Sequence, residues 1–266
     1  MQLDQSSQYV SKTGLVFTPS LDRDLVNGAP AILEAGVVLG ASEYGVSVTT
    51  ASTRGITFGS GVPKPLSGGD WTVLALARPA PSYNVAYTPA FSQRRLSPNK
   101  QCGFLFNSYR ISPSAASGKI EVFAFDGSSM PFCTSNSADV VDGNWHVFAA
   151  RMSGAIGRLY RDGQVLSSTQ TGTSVGNWHD PAQEVTIGRI GSSYESGSAT
   201  PFALVVAWDR ALSDAEVAAI SANPWQLFRA DPVRIYSLPS GAITLNSLTM
   251  SAITQTTARA TLSVTR

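Results

Sequence analysis

Along most of the chain, short apolar runs alternate with clusters of Ser, Thr, Gly, Pro and Asn. The stretches GLVFTP (14–19), GITFGS (55–60), WTVLALARP (71–79), VAYTPAFS (85–92), CGFLFNS (102–108), KIEVFAFD (119–126), WHVFAARM (145–152), EVTIGRI (184–190) and FALVVAWDR (202–210) each read as a strand between turn formers. So many short strands at this spacing predict a β-sandwich or barrel, not alternating β and α units. The clearest hairpin is GRLYRDGQVLSS (157–168), where Asp162-Gly163 favours a two-residue turn with positive φ at both positions.

One stretch breaks the pattern. In WDRALSDAEVAAISANPWQLF (208–228), Ser213 and Glu216 spell a capping box and Asp214 puts negative charge at the positive end of a helix. Leu212, Val217 and Ile220 fall on one side, and Asn223-Pro224 ends the helix because proline supplies no N–H. A helix of about two and a half turns is marginal alone, so its apolar side is expected to dock over the end or edge of a sheet. Beyond the LPSG linker, residues 240–266 alternate Ile, Leu and Val with Thr and Ser. The expected organisation is therefore a domain over 1–239 and a strand-forming extension over 240–266. Two such segments are too few for a domain, so Ile243, Leu245, Leu248, Ile253, Leu262 and Val264 are candidates for assembly, adding strands to the main sheet or to another chain.

At 266 residues, with 14% charged residues, a formal net charge of +1 and 43% hydrophobic residues, the composition is that of an ordered globular chain. It points to neither nucleic acid nor an anionic membrane, and no apolar run approaches the ~20 residues of a membrane-spanning helix. The first fourteen residues carry no signal-peptide pattern. Cys102 and Cys133 sit among β-like apolar residues and are expected to be free, buried thiols.

DGNWHVFAARMSG (142–154), the Asp-Gly hairpin and FALVVAWDRALSDAEVAAI (202–220) together resemble the laminin-G-like, or concanavalin A-like, family in order and spacing. The resemblance covers 140–228 well and the N-terminal half by strand density alone. It implies an all-β fold: a two-sheet antiparallel jelly-roll sandwich with one short C-terminal helix and a β-forming tail, and with Trp145 in the core. The ending SANPWQLF (221–228) is also similar to stand-alone modules of bacteriophage structural proteins. That implies a non-enzymatic component of a virion surface, made in the host cytoplasm, with other virion proteins and further copies of itself as partners. A carbohydrate-binding adhesin is the alternative class.

The chemistry the residues offer is sparse. A glycosidase on this fold needs two carboxylates facing each other across a groove. No E-x-D-x-x-E triplet is present, and Glu121, opposite in face to Val122, reads as a surface residue. His146 reads as a packing or hydrogen-bonding residue. Near His179, Asp180 is a candidate cation ligand, and the family's Ca²⁺-binding members make Asp126, Asp142 and Asp180 the candidate Ca²⁺ donors, although short Asp loops are more often plain turn formers. For glycan binding, the aromatics in polar, loop-like surroundings are Tyr83, Tyr87, Tyr109, Trp178 and Tyr194. The basic loop at Arg94, Arg95 and Lys100 is too small to suggest nucleic acid.

Overall fold

Trp71–Ala77 and Pro201–Trp208 are apolar at nearly every position rather than at alternate ones. A strand of this kind needs cover on both faces. The structure, a computed structural model, describes residues 2–4, 6–10, 13–18, 25–26, 30–50, 54–58, 66, 69–81, 88–95, 99–107, 118–179, 183–190 and 199–229. In chain order the strands are β1 (Gln2–Leu3), β2 (Thr13–Phe17), β3 (Ala31–Leu33), β4 (Val38–Ser42), β5 (Gly45–Thr49), β6 (Ile56–Phe58), β7 (Trp71–Ala77), β8 (Thr88–Arg95) and β9 (Lys100–Phe106). There follow β10 (Ile120–Phe125), β11 (Phe132–Ser135), β12 (His146–Ser153), β13 (Ile156–Arg161), β14 (Gln164–Val165), β15 (Ser168–Thr171), β16 (Glu184–Ile187), β17 (Pro201–Trp208) and β18 (Phe228–Arg229).

These strands build two large antiparallel sheets and a two-stranded antiparallel pair of β1 and β18. The first runs β15-β11-β10-β9-β8-β16-β6-β3, and the second β14-β13-β12-β7-β17-β5-β4 with β2 added beside β17. Their facing sides share one apolar cluster, in which Phe91, Phe104 and Val122 of the first sheet meet Val73, Phe148 and Phe202 of the second. The all-β sandwich expected from the sequence is the fold observed. Strands β1, β3, β4, β5, β11, β15 and β18 were not among the expected segments. They are short, mixed in polarity or interrupted by glycine. In the Asp-Gly hairpin, Asp162 and Gly163 have φ of 50° and 78°, as the turn chemistry requires.

The outward face of the second sheet carries its own cluster, including Leu74, Leu76, Val147, Leu204, Val206 and Trp208. Helix α1 (Asp214–Ala222) lies on it, with Leu212, Val217 and Ile220 buried. The helix therefore covers a sheet face, not an end or edge, because alternate residues of β7 and β17 would otherwise meet water. The Ser213–Glu216 capping box is present, and Asp214 accepts from Arg151 Nη1 at 3.0 Å and from the Tyr160 hydroxyl at 2.8 Å, with Arg158 completing the contact. A Cβ on Gly163 would lie 2.9 Å from the Cα of Ala218, so the hairpin tip needs glycine for its φ and for the helix's close approach. Trp225 and Phe228 continue the seal, their rings 5.9 Å apart. Trp145 packs against the same outward cluster and is only partly buried, so it is not in the inter-sheet core as expected.

Cys102 and Cys133 are free and buried. They lie on β9 and β11 with β10 between them, Cys102 opposite Ala124 and Cys133 opposite Val122. Two strand spacings put their backbones ~10 Å apart, beyond disulfide reach. Along the chain, two units separate, Met1–Ala230 and Asp231–Arg266, and the described residues all fall in the first. Ile243, Leu245, Leu248, Ile253, Leu262 and Val264 lie outside the described residues.

Trp71→Ala, which empties a fully buried site, is expected to cost ~3–5 kcal/mol. Trp145→Ala should cost clearly less, and equal urea midpoints for the two variants would contradict the outward placement of Trp145. A second expectation concerns acid. Burial disfavours the Asp214 carboxylate, but Tyr160, Arg158 and Arg151 outweigh it and hold its pKa below the ordinary value. Its contribution is thus present above the unfolded value of about 3.9 and is lost as pH falls through the lower folded value. Thermal midpoints of the wild type and Asp214→Asn should differ at pH 7 and converge below about pH 4. The side chain is 45% exposed, which limits the difference to ~1 kcal/mol or less and makes it shrink with salt.

Candidate functional site

Opposite His146 on β12 stands Ala77 on β7, so the residues just outside that pair, Trp145 and Arg78, are cross-strand neighbours on the outward face. The Arg78 guanidinium carbon lies 5.6 Å from the centre of the Trp145 ring. The third member arrives from far along the sheet order. Strand β17 pairs with β5 only at Pro201 and Phe202 and then with β2 from Val205 onward, which releases the β4–β5 hairpin from the sheet. At its tip, Tyr44 meets Trp145 edge-on, centroids 5.5 Å apart at 70°. Ser42 fixes the turn. Its Oγ accepts from the Tyr44 N–H at 3.2 Å and donates to the Gly45 carbonyl at 3.2 Å, while Gly45 takes a φ of 96°.

Carboxylates border this aromatic shelf. Burial raises the Tyr44 hydroxyl pKa, and the negative charges of Glu43 and Asp162 raise it further. Asp162 accepts from the Val147 N–H at 3.0 Å and lies 2.6 Å from His146 Nδ1, while Asp142 lies 3.1 Å from His146 Nε2. Arg161 approaches Asp142 at 3.7 Å. Burial works against ionised Asp142, yet the Asn144 N–H and His146 outweigh it and lower its pKa. His146 thus clasps two loops, as the hydrogen-bonding reading expected.

Of the sugar-binding candidates, Tyr83, Tyr87, Tyr109 and Tyr194 lie outside the described residues, as does Asp180. Trp178 is 1% exposed, its ring 6.4 Å from that of Trp71 in the inter-sheet core, so it offers no face to a ligand. Packing against Trp71 overrides the polar sequence around it. Asp126 accepts from the N–H groups of Ser128 at 2.8 Å, Ser129 at 2.7 Å and Gly176, and the Ser129 bond foremost lowers its pKa. It joins two loops. No group of three or more metal-ligating side chains occurs among the described residues.

Glu121 is fully buried, contrary to the surface position expected of it. The outward face of the first sheet holds a third apolar cluster of Leu105, Phe123 and Ile190, so alternation places Glu121 beside Phe123 rather than in water. Thr134 Oγ1 donates to its carboxylate at 3.1 Å. Gly103 makes room for the Phe123 ring, which a Cβ there would meet at 2.7 Å.

The two-sheet antiparallel sandwich is a concanavalin A-like jelly roll. Residues 50–218 match the model of the concanavalin A-like lectin/glucanases superfamily, and the chain belongs to that superfamily. Comparison with curated protein sequences gave no match. Among solved structures the chain is similar to the binding domain of Paraclostridial Mosquitocidal Protein 1, with a TM-score of 0.61, 10% identity and coverage of 82% of this chain and 53% of that one. Domain 4 of AbnA, a GH43 extracellular arabinanase from Geobacillus stearothermophilus in complex with arabinotriose, gives 0.57 at 11% identity, over 79% of this chain and 98% of that one. The botulinum neurotoxin serotype D ligand-binding domain in complex with N-acetylneuraminic acid gives 0.58 at 11% identity, over 81% and 52%. The chain spans about half the length of the toxin domains. At these identities the likeness is one of fold.

Thr134→Val removes a donor from a buried carboxylate and is expected to cost ~1–3 kcal/mol. Chemical denaturation of the variant measures it, and an unchanged midpoint would contradict the burial of Glu121.

Proposed function

We propose that this chain is a non-enzymatic glycan-recognition module displayed on the surface of a bacteriophage particle. The observation that carries the recognition half is the Tyr44–Trp145–Arg78 shelf: a part-exposed aromatic pair beside one cation and bordering carboxylates. Aromatic faces with a few directed polar groups are what sugar rings require of a binding surface. Membership of a lectin and glucanase superfamily supports this reading, as do solved structures of similar fold described with arabinotriose and with N-acetylneuraminic acid.

The carboxyls support binding over hydrolysis. Asp126, Asp142, Asp214 and Glu216 are all held below the ordinary range, whereas a glycosidase's general acid is raised. Among the described residues, carboxylates that converge do so on a shared partner, Asp142 and Asp162 on the His146 ring and Glu34 and Glu184 on the Arg189 guanidinium. Virion display rests on the likeness of SANPWQLF and the preceding segments to phage structural modules. Contact with other virion proteins or further copies is supported by exposed apolar side chains on edge strands, Ile32 on β3 and Val38 and Leu39 on β4. Among the described residues no helix is long and apolar enough to cross a membrane.

Two measurements test the two halves. The intact protein on a glycan array is expected to bind a defined set of oligosaccharides and release no reducing sugar. Sugar release would replace the binding reading with a hydrolase. Density-gradient fractions of particles from the source culture should contain the chain at a fixed ratio to the major capsid protein, and recovery only as free protein would end the virion reading.

A further inference from the structure

We propose that Tyr44 is the stacking platform of a subsite for an uncharged hexopyranose, with Arg78 and Asp162 addressing the sugar's hydroxyls. This rests on the glycan reading above and adds where the sugar sits and what kind it is. A pyranose has an apolar C–H face and a rim of hydroxyls that both donate and accept, so it is held by a fixed aromatic plane flanked by donors and acceptors.

Tyr44 is 36% exposed although its ring meets Trp145 in a T-shaped contact and its turn is locked by Ser42. The plane is therefore fixed and still reachable. Arg78 is exposed and takes part in none of the ion pairs found among the described residues, unlike Arg151, Arg158, Arg161, Arg189 and Arg210. Its guanidinium is parked over Trp145 with its N–H groups left for another acceptor. Glu43, which precedes Tyr44 in the turn, and Asp162, bonded to the Val147 N–H and the His146 ring next to Trp145, supply acceptors. A simple latch between hairpin and sheet would need only the ring-on-ring contact and would give Arg78 no task.

The charge balance selects the kind of sugar. Two carboxylates stand at the shelf, Glu43 adjoining Tyr44 in the turn and Asp162 bonded beside Trp145, against the Arg78 guanidinium over the Trp145 ring. A sugar carboxylate seated there would be repelled by Asp162 and Glu43, whereas sugar hydroxyls donate to them and accept from Arg78.

The test is titration of the intact protein, by saturation-transfer NMR and calorimetry, with maltotriose, cellotriose, lactose and 3′-sialyllactose. At least one of the three neutral probes should bind, more tightly than 3′-sialyllactose. Tyr44→Ala should weaken it about tenfold or more, equivalent to ~1.4 kcal/mol, and Arg78→Ala several-fold, with thermal midpoints near the wild-type value. Arg78→Ala keeps the Arg78 N–H bond to the Pro201 carbonyl at 2.9 Å and removes a side chain whose contact is the Trp145 ring, so this variant reports on binding even if Tyr44→Ala loosens the hairpin. Unchanged affinity in Arg78→Ala and in a folded Tyr44→Ala would overturn this subsite and leave the glycan reading standing. Preference for 3′-sialyllactose would overturn the uncharged-sugar assignment. Failure of the four probes together with a blank glycan array would overturn both.

Discussion

The two central strands of the second sheet have no face open to water. Strands β7 and β17 bury every one of their residues but Pro201, alternate side chains entering the inter-sheet core and the outward cluster. Most sandwiches leave the outer side of each sheet to water, and here that would strand Leu74, Leu76, Leu204, Val206 and Trp208. The short helix answers this demand. Its capping box, the Asp214 contacts to Arg151, Arg158 and Tyr160, and the glycine beneath Ala218 are all devices that hold two and a half turns of otherwise marginal helix against a sheet. The N-terminal segment joins the same cover, since Trp208 Nε1 donates to the Tyr9 carbonyl at 2.6 Å.

The aromatic shelf belongs to the same layer. Trp145 borders the outward cluster, and the β4–β5 hairpin, freed where β2 displaces β5 beside β17, sets Tyr44 on it. The helix closes its part of the face with aliphatic side chains, whereas the hairpin tip leaves an aromatic ring, a guanidinium and carboxylates. The sealed face and the open shelf are thus two treatments of one apolar surface.

Much of the fold was legible because the signals were local. Strand-length apolar runs, an Asp-Gly turn and S-D-A-E before an apolar stripe each carry their own physical cause, and each forms as expected. What failed depended on the second layer. Glu121 reads as a surface residue if the outer side of the first sheet is wet, and Phe123 and Leu105 show that it is not. Trp178 stands among Gly, Asn, His and Asp, yet Trp71 draws it into the core. Tyr44 carries only the weak signal of an aromatic in a two-residue turn, and Trp145, expected in the core from the family resemblance, shares the outward face with Val147 and Ala149. The cross-strand register that brings Trp145 to Arg78 is a property of pairing, which one strand's sequence does not contain.

The two thiols complete this picture of a doubly covered sandwich. Burial drives Cys102 well above its ordinary pKa and Cys133 above its own, so both stay protonated and shielded in the folded chain. A thiolate is the form that reacts, so oxidants and alkylating reagents reach these sulfurs only when strands β9 and β11 come apart. Labelling kinetics at Cys102 and Cys133 would then act as an internal clock for opening of the first sheet, with no probe needing to be introduced.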